Sequence, residues 1–245
     1  MHIRTPTKSK LREVDVVILC GGMGSRLRAV VSDRPKPMAR IDQRPFLDIL
    51  IQFFSGFGFR RFILCAGYMS EVIRDHYTCM AGPCRFVISE EHAPLGTGGT
   101  IRNAEKLIQS DPFLVANGDS FCPVDLPEFY NFHLAKQALM SMAVLESEDT
   151  NDCGTVLLDD AQKIVGFEEK KQNHRPCHIN AGIYLFRKDV ISLIPEDTRF
   201  SLEHELFPKL VQQNCYAFVS GGPLIDIGTP GRYEWAKKSL VLHRI

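Results

Sequence analysis

The sequence lacks both a long hydrophobic run and a net charge. Near the N-terminus its longest apolar stretch covers only residues 16–20, far short of the roughly 20 residues that a membrane span needs. Lysine plus arginine and aspartate plus glutamate number 29 each, so no overall field favours nucleic acid or an anionic membrane. We therefore expect neither a membrane nor a nucleic acid as partner, and local charge must meet any polyanionic ligand.

Redox and metal-binding cysteine motifs are also missing. The eight cysteines include no Cys-x-x-Cys pair, and several fall in apolar runs typical of strands. This usage predicts buried free thiols in a reducing cytoplasm. The stretch 174–178 combines two histidines with a cysteine but lacks a second pair at zinc spacing, so it is interpreted as a polar loop. Residues 1–13 are basic and have no apolar core, which predicts a flexible tail rather than a signal peptide.

What the chain does contain is an alternation of strand-like and helix-like segments. In the first half, strands are predicted at 14–20, 61–66, 85–89 and 112–117, with helices at 45–57, 70–77 and 100–109, the second capped by Ser70. In the second half, strands are predicted at 139–146, 154–158, 163–168, 178–187 and 216–219, with helices at 201–213 and 231–243. This order predicts an α/β fold with a mixed, mostly parallel sheet.

A glycine-rich turn follows the first predicted strand and contains Gly21, Gly22 and Gly24. Glycines at the carboxyl end of a strand let the backbone approach a phosphate. The turn lacks the Gly-Lys-Ser/Thr ending of a P-loop. A dinucleotide-binding fingerprint would require an acidic residue at the end of the second strand. That strand ends at 65–67 in Cys-Ala-Gly. An oxidoreductase is therefore disfavoured.

Positive charge is concentrated just after this turn. Between residues 24 and 41 five basic residues face one acidic residue, an excess of four in a neutral protein. Such a cluster beside a glycine turn suits a triphosphate, although a solvated surface turn remains the plain alternative. Lys36 lies between Pro35 and Pro37, whose rings restrict the backbone. Its ammonium group is thus predicted to be presented from a stiff segment.

Several motifs together resemble the sugar-1-phosphate nucleotidyltransferases over roughly residues 14–240. They are Gly-Gly-Met-Gly-Ser-Arg-Leu at 21–27, Arg-Pro-Lys-Pro-Met at 34–38, Pro-Leu-Gly-Thr-Gly-Gly at 94–99, Asn-Gly-Asp at 117–119, Glu-Glu-Lys at 168–170, Asn-Ala-Gly at 180–182 and Asp-Ile-Gly-Thr-Pro at 226–230. Within that family, Arg28, Val30 and Val31 resemble the D-glycero-α-D-manno-heptose 1-phosphate guanylyltransferases.

The resemblance implies a Rossmann-like three-layer sandwich in one domain, 14–245, with a nucleotide-binding half (14–137) and a sugar-binding half (138–245). It implies Mg²⁺ held by Asp119 and Asp226, which with Arg26 and Lys36 form the catalytic set. Taken singly, each aspartate also fits an ordinary turn residue. The implied nucleotide-binding residues are Gly21, Gly22, Gly24, Ser25, Gly96, Thr97, Gly98, Asn117 and Gly118. The implied sugar-binding residues are Gly154, Glu169, Lys170, Asn180 and Gly182.

The implied reaction is attack by a sugar 1-phosphate on the α-phosphorus of a nucleoside triphosphate, giving a nucleotide sugar for surface polysaccharides and pyrophosphate. The favoured substrates are GTP and the heptose 1-phosphate, and relatives that pair suggest a homodimer. Two alternatives remain open, because no residue determines which nucleobase is bound. They are mannose 1-phosphate with GTP, and a hexose 1-phosphate with UTP or CTP. A non-catalytic nucleotide-sugar-binding module is the alternative from another class.

Overall fold

The computed structural model describes residues 8–147, 154–169, 177–211 and 213–242. Its strands are β1 (Asp15–Leu19), β2 (Arg40–Ile41), β3 (Arg44–Pro45), β4 (Arg61–Ala66), β5 (Arg85–Glu90), β6 (Phe113–Asn117), β7 (Ser120–Phe121), β8 (Met140–Ser147), β9 (Gly154–Leu158), β10 (Ile164–Glu169), β11 (Cys177–Phe186), β12 (Cys215–Val219) and β13 (Ile225–Asp226). Its α-helices are α1 (Lys8–Leu11), α2 (Phe46–Phe57), α3 (Ser70–Thr78), α4 (Gly96–Asn103), α5 (Leu126–Ala135), α6 (Phe207–Leu210) and α7 (Pro230–Leu242).

One mixed sheet runs through the molecule in the order β10-β9-β11-β6-β1-β4-β5, and β8 joins β11 to β12. The strands β6, β1, β4 and β5 are mutually parallel, whereas β11 is antiparallel to β6. The mixed α/β sheet is confirmed. Because parallel strands end at one edge, the chain leaves β1, β4, β5 and β6 on the same side of the molecule.

Both faces of this sheet are buried, which gives the three layers. On β1, Val16 and Ile18 belong to one apolar cluster, whereas Val17 belongs to the other. Alternate strand residues point to opposite faces, so helices must cover the sheet on both sides. The helix α2 illustrates this, since Phe46, Leu50 and Phe54 are almost completely buried and Gly58 ends the helix in a left-handed conformation.

Some boundaries differ from prediction for local reasons. Ser70 is the first residue of α3 and not its N-cap, a position that Met69 occupies with a φ of 53°. The helix α4 begins at Gly96, four residues before the prediction, because Gly96 turns into it with a φ of +73°. The predicted helix 201–213 is instead a π-helical turn over Leu202–Leu206 followed by α6, and the Ser201 hydroxyl caps this turn by accepting the His204 N–H at 3.2 Å.

Two helices were not predicted. The helix α5 has Asp125 as its N-cap, whose carboxylate accepts the Glu128 N–H at 2.9 Å. The helical turn α1 falls within the predicted tail 1–13, and its Leu11 is completely buried in the core. The tail prediction is therefore wrong for residues 8–13, while residues 1–7 lie outside the described residues.

The predicted halves, 14–137 and 138–245, share the sheet across the pairing of β11 with β6, and their functional division stays a prediction. Seven of the eight cysteines are described and are free, and Cys20, Cys65, Cys122 and Cys215 are buried. Of the predicted polar loop 174–178, residues 174–176 lie outside the described residues, and Cys177 and His178 are the first two residues of β11 rather than part of a loop. Among the described helices, none combines the length and the apolar character of a membrane span.

Candidate active site

The glycine turn after β1 is packed tightly against its neighbours. A Cβ on Gly67 would lie 2.9 Å from the Gly21 carbonyl oxygen, which also accepts the Tyr68 N–H at 3.2 Å. Gly24 has a φ of +58°, and a Cβ there would lie 2.9 Å from the Lys36 Cβ. Any side chain at Gly24 would therefore be strained and would push Lys36 away.

A cavity of about 590 Å³ opens at the edge where the parallel strands end. The turns after β1, β4, β5 and β6 and the start of α4 form its wall. Its lining includes Gly21, Gly22, Met23, Gly24, Lys36, Gly67, Tyr68, Glu91, His92, Pro94, Gly96, Thr97, Thr100, Asn117, Asp119 and Arg199. We call this the first cavity; its position is the one where open α/β sheets bind their ligands.

A second cavity of about 330 Å³ adjoins the first and is more polar. Its lining is Arg26, Lys36, Asn117, Asp119, Ser120, Gly154, Asn180, Ser201, Glu203, His204, Leu224, Asp226, Gly228 and Arg232. Lys36, Asn117 and Asp119 line both cavities. The two cavities therefore meet at these three side chains.

Lys36 and Asp119 form an ion pair at this junction. The Lys36 Nζ lies 2.5 Å from Asp119 Oδ2, with the two side chains 14% and 33% exposed. Burial disfavours the charged form of Asp119, but the Lys36 ammonium and the Ser120 hydroxyl outweigh burial and hold the pKa of Asp119 below its usual value. Asp119 is therefore a carboxylate at neutral pH. The expected stiff presentation of Lys36 agrees with a 3₁₀ turn over Lys36–Met38.

Asp226 reaches the same place through long-range strand pairing. The strands β13 and β7 pair antiparallel, with Asp226 opposite Ser120, and the Ile227 N–H donates to the Asp119 carbonyl oxygen at 3.0 Å. The Asp226 carboxylate accepts the Gly228 N–H at 2.8 Å and faces Arg232 Nη1 at 3.3 Å. Two carboxylates thus line one cavity together with Arg26 and Lys36.

This donor set fits magnesium. No group of three or more histidine, cysteine, aspartate or glutamate side chains forms a metal cluster in the described ranges. Mg²⁺ usually takes only one or two protein carboxylates and completes its octahedron with water and substrate phosphates. Asp119 and Asp226 are oxygen donors of that kind in one cavity.

The predicted nucleotide-binding residues divide into two groups. Those that line the first cavity are Gly21, Gly22, Gly24, Gly96, Thr97 and Asn117, whereas Ser25, Gly98 and Gly118 line neither cavity. Gly98 donates its N–H to the Phe200 carbonyl at 2.8 Å, and a Cβ on Gly118 would lie 2.7 Å from the Leu19 carbonyl. These two glycines are thus needed for close packing around the cavity.

The predicted sugar-binding residues divide similarly. Gly154 and Asn180 line the second cavity, and Gly182 lines neither. Gly182 supports its neighbours, since its N–H donates to Asn180 Oδ1 at 2.9 Å. Glu169 is paired with Gly154 across β10 and β9. Lys170 lies outside the described residues.

Several lining residues were missed by the sequence reasoning. Glu91 follows β5 as Asp119 follows β6, so the strand-end rule could have found it. Its carboxylate accepts the Thr100 hydroxyl at 2.6 Å and the Leu95 N–H at 3.3 Å. Burial raises the pKa of Glu91, and these two hydrogen bonds partly offset that rise. No local signal marked Arg199, Ser201, Glu203, His204 or Arg232, which come from the distant second half.

The comparisons with known proteins agree with this geometry. The sequence model described as nucleotidyl transferase matches residues 15–241. The chain is 34% identical to the D-glycero-alpha-D-manno-heptose 1-phosphate guanylyltransferase of Aneurinibacillus thermoaerophilus, over 93% of this chain and 98% of that protein. It is 33% identical to the mannose-1-phosphate guanylyltransferase of Mycobacterium tuberculosis, over 94% of this chain and 65% of that protein.

Among solved structures, HddC from Yersinia pseudotuberculosis complexed with GMP-PN has a TM-score of 0.81 at 33% identity, covering 93% of this chain and 99% of that one. The resemblance drawn from the motifs is confirmed, as is the fold that it implied. The family model spans almost the whole described sheet, one relative matches nearly end to end, and the fold is shared. This chain therefore belongs to the nucleotidyl transferase family.

Proposed function

We propose that the protein transfers GMP from GTP to D-glycero-α-D-manno-heptose 1-phosphate and releases pyrophosphate. The observation that carries this proposal is the meeting of two cavities at Lys36, Asn117 and Asp119. A nucleotide in the first cavity and a sugar phosphate in the second would bring their phosphates together at that junction. The name of the relative in Aneurinibacillus supports the choice of heptose and guanine, and the GMP-PN bound to the Yersinia protein supports guanine.

In this reaction an oxygen of the sugar phosphate forms a bond to the α-phosphorus of GTP, and the bond from that phosphorus to the β-phosphate oxygen breaks. The nucleophile is already an anion, so no general base is needed. The barrier comes from bringing two anions together in line. The chain must therefore position the phosphates and neutralise their charge.

Lys36 and Arg26 supply positive charge on the protein side. Lys36 stands at the junction, where its ammonium group would hold the phosphates near the attacked phosphorus. Arg26 lines the second cavity beside Asp226 and would stabilise the leaving pyrophosphate. Fixed cations in a partly dry site act more strongly than in water, because the protein has already oriented them.

Asp119 and Asp226 would hold Mg²⁺. When bound, the ion supplies further positive charge that offsets the phosphate charge during transfer. The low pKa of Asp119 keeps its carboxylate available as a ligand at neutral pH. Asp226 is oriented for the same purpose by the Gly228 N–H.

Glu91 supports guanine as the base. Its two carboxylate oxygens accept one hydrogen bond each from Thr100 and Leu95, which leaves acceptor positions unused. Guanine presents two neighbouring N–H donors, at N1 and N2, that suit a carboxylate. Uracil presents one N–H between two carbonyl oxygens, which a carboxylate would repel.

Alternative substrates remain in the proposal. The mycobacterial relative makes mannose 1-phosphate with GTP the second candidate. Uridylyl transfer to a hexose 1-phosphate is disfavoured by Glu91, whereas cytidylyl transfer stays an alternative because the N4 amine of cytosine can also donate to a carboxylate. A non-catalytic nucleotide-sugar-binding module is also disfavoured, because Arg26, Lys36, Asp119 and Asp226 all line one cavity.

We further propose a cytoplasmic enzyme of surface polysaccharide synthesis. The four buried free thiols suit a reducing compartment, and a heptose nucleotide suits polysaccharide assembly. A homodimer stays a prediction, to be checked by light scattering after size-exclusion chromatography. The exposed Leu157 and Val165 on β9 and β10 are apolar surface that such a contact could cover.

The deciding experiment measures pyrophosphate release over a matrix of four nucleoside triphosphates and several sugar 1-phosphates, with and without Mg²⁺. We expect turnover to require Mg²⁺ and to be fastest with GTP and the manno-configured heptose 1-phosphate. Faster turnover with mannose 1-phosphate would replace the sugar, and faster turnover with UTP would replace the base. No pyrophosphate release from any pair would contradict the proposed function.

A further inference from the structure

The π-helical turn over Leu202–Leu206 belongs to the wall of the second cavity. Ser201, Glu203 and His204 line the cavity, whereas Leu202 and Leu206 are completely buried in the core. The wider π turn lets the neighbouring residues Glu203 and His204 both reach the cavity, and single π turns occur frequently at functional sites. Neither the motifs nor the family resemblance assigned a role to these side chains.

Glu203 is held in place through one of its two carboxylate oxygens. Oε2 accepts the Thr97 hydroxyl at 2.7 Å and the Ser201 hydroxyl at 2.8 Å. The Thr97 oxygen in turn accepts the Leu202 N–H at 2.8 Å. Within the described ranges Oε1 takes part in no hydrogen bond or ion pair, so it keeps its acceptor capacity.

His204 is placed beside Glu203 by the cap of the same turn. Its backbone N–H donates to Ser201 Oγ at 3.2 Å, and its side chain is exposed where it lines the cavity. A neutral imidazole offers one donor and one acceptor, the complement of a hydroxyl group.

Charge determines how a sugar phosphate would lie in the second cavity. The cavity lining includes three basic side chains, Arg26, Lys36 and Arg232, beside the two aspartates. The three basic side chains attract phosphate. The carboxylate of Glu203 repels phosphate but accepts hydrogen bonds from hydroxyl groups. A ligand with phosphate at one end and hydroxyls at the other is therefore bound with its hydroxyls toward the π turn.

We propose that Glu203 and His204 bind the hydroxyl groups of the sugar, and that Thr97 is a positioning residue that orients Glu203. The proposal rests on the proposed function, because it requires a sugar phosphate in the second cavity. Thr97 also lines the first cavity. The Thr97–Glu203 hydrogen bond therefore joins the wall of the first cavity to the wall of the second cavity.

The test compares the Kd values of GDP and GDP-mannose, since their ratio isolates the contribution of the sugar at equilibrium. Titration calorimetry would be applied to the wild type, Glu203→Gln and His204→Ala. We expect each variant to bind GDP with a Kd within twofold of the wild type. We expect Glu203→Gln to weaken GDP-mannose binding about tenfold, as for the loss of a charge-assisted hydrogen bond.

The matched control is Glu205→Gln, in the same turn. The Glu205 carboxylate accepts the Ser201 N–H at 2.7 Å, and its side chain lines neither cavity. The Glu205→Gln variant should leave the Kd values of GDP and GDP-mannose unchanged. Thermal denaturation of every variant checks the fold, and His204→Ala tests the sugar contact without breaking the bonds of Glu203.

Three results would overturn the assignment. One is an unchanged GDP-mannose advantage in both variants. Another is an equal loss of GDP and GDP-mannose affinity in Glu203→Gln. That result would mean that Glu203 affects only nucleotide binding in the first cavity, through Thr97. The third is a wild type that binds GDP-mannose no more tightly than GDP. The substrate matrix separates this failure from failure of the proposed function, because turnover there does not depend on these variants.

Discussion

Lys36 and Asp119 are the two charged side chains that line both cavities. They form an ion pair that is only partly shielded from water, at 14% and 33% exposure. Because water reaches both side chains, it screens the charge that is left when one partner is removed, and the loss of stability is small. Each also serves the proposed reaction separately, Lys36 as a phosphate contact and Asp119 as a metal ligand. Their substitutions should therefore affect activity far more than stability.

Asp119→Asn should lower kcat/KM for nucleotide transfer by roughly 10²–10³, the usual size for loss of one preorganised electrostatic contact. The amide keeps the shape of the side chain but not its charge. Pyrophosphate release under Mg²⁺ saturation measures the change, with Asp160→Asn as an exposed control. Activity equal to that of the control would remove the metal assignment.

Gly182→Ala should destabilise the protein by about 1–2 kcal/mol, because a residue with a Cβ would have to adopt a left-handed backbone conformation there. The φ of Gly182 is +72°, and a Cβ would lie 2.7 Å from Asn117 Nδ2. Urea denaturation measures the loss. The control Gly56→Ala, in α2 where nothing lies within 4 Å of a Cβ, should be neutral or stabilising. Equal effects of the two variants would contradict the strain argument.

The helix α5 carries a buried histidine that makes stability depend on pH. His133 is 2% exposed and its Nδ1 lies 2.9 Å from Ser141 Oγ. Burial, and secondarily the positive charge of Arg187, lowers the pKa of His133 from its ordinary value to about 4. In the unfolded chain the pKa returns to about 6.5.

Stability should consequently fall by about 3 kcal/mol as the pH drops from above 6.5 to about 4, because the unfolded state takes up the proton in that window and the folded state does not. Urea midpoints measured between pH 7 and pH 4 would show this. In His133→Asn the decline should be shallower, whatever the absolute stability of the variant. Parallel curves for the two proteins would assign the acid sensitivity to other groups.

The short helix α1 should contribute to stability through Leu11, which is completely buried in the core. Leu11→Ala should cost about 2–5 kcal/mol in the free energy of unfolding, because it leaves a cavity. Leu134→Ala in α5 is the matched control, since Leu134 is 42% exposed and should change stability little. A small effect at Leu11 would restore the view of residues 8–13 as a tail.

The whole molecule should unfold as one unit, because the sheet passes without a break from β5 through β6 to β11 and β10. The single tryptophan, Trp235, lies in α7, whose buried Tyr233, Ala236 and Leu240 pack in the same core cluster as β1. Tryptophan fluorescence and far-ultraviolet circular dichroism should therefore give coincident thermal transitions. An earlier fluorescence transition would mean that the α7 region opens separately.

Elements whose formation depends on nearby residues could be predicted from the sequence. The strands β1, β4 and β6, the helix α2 and its glycine stop follow from periodicity and turn residues within a few positions. The glycine turn and Lys36 between two prolines are equally local, because they rest on the φ values that these residues allow. The family motifs then indicated which chemistry the turn serves.

The positions that depend on distant parts of the chain could not be obtained this way. Asp226 reaches Asp119 only because β13 pairs with β7, and Ser201, Glu203 and His204 reach the second cavity only because α4 packs on Phe200. Whether Leu11 is tail or core likewise depends on what covers the sheet. Such contacts are made by surfaces that the chain brings together on folding, and no periodicity within one segment encodes its distant neighbour.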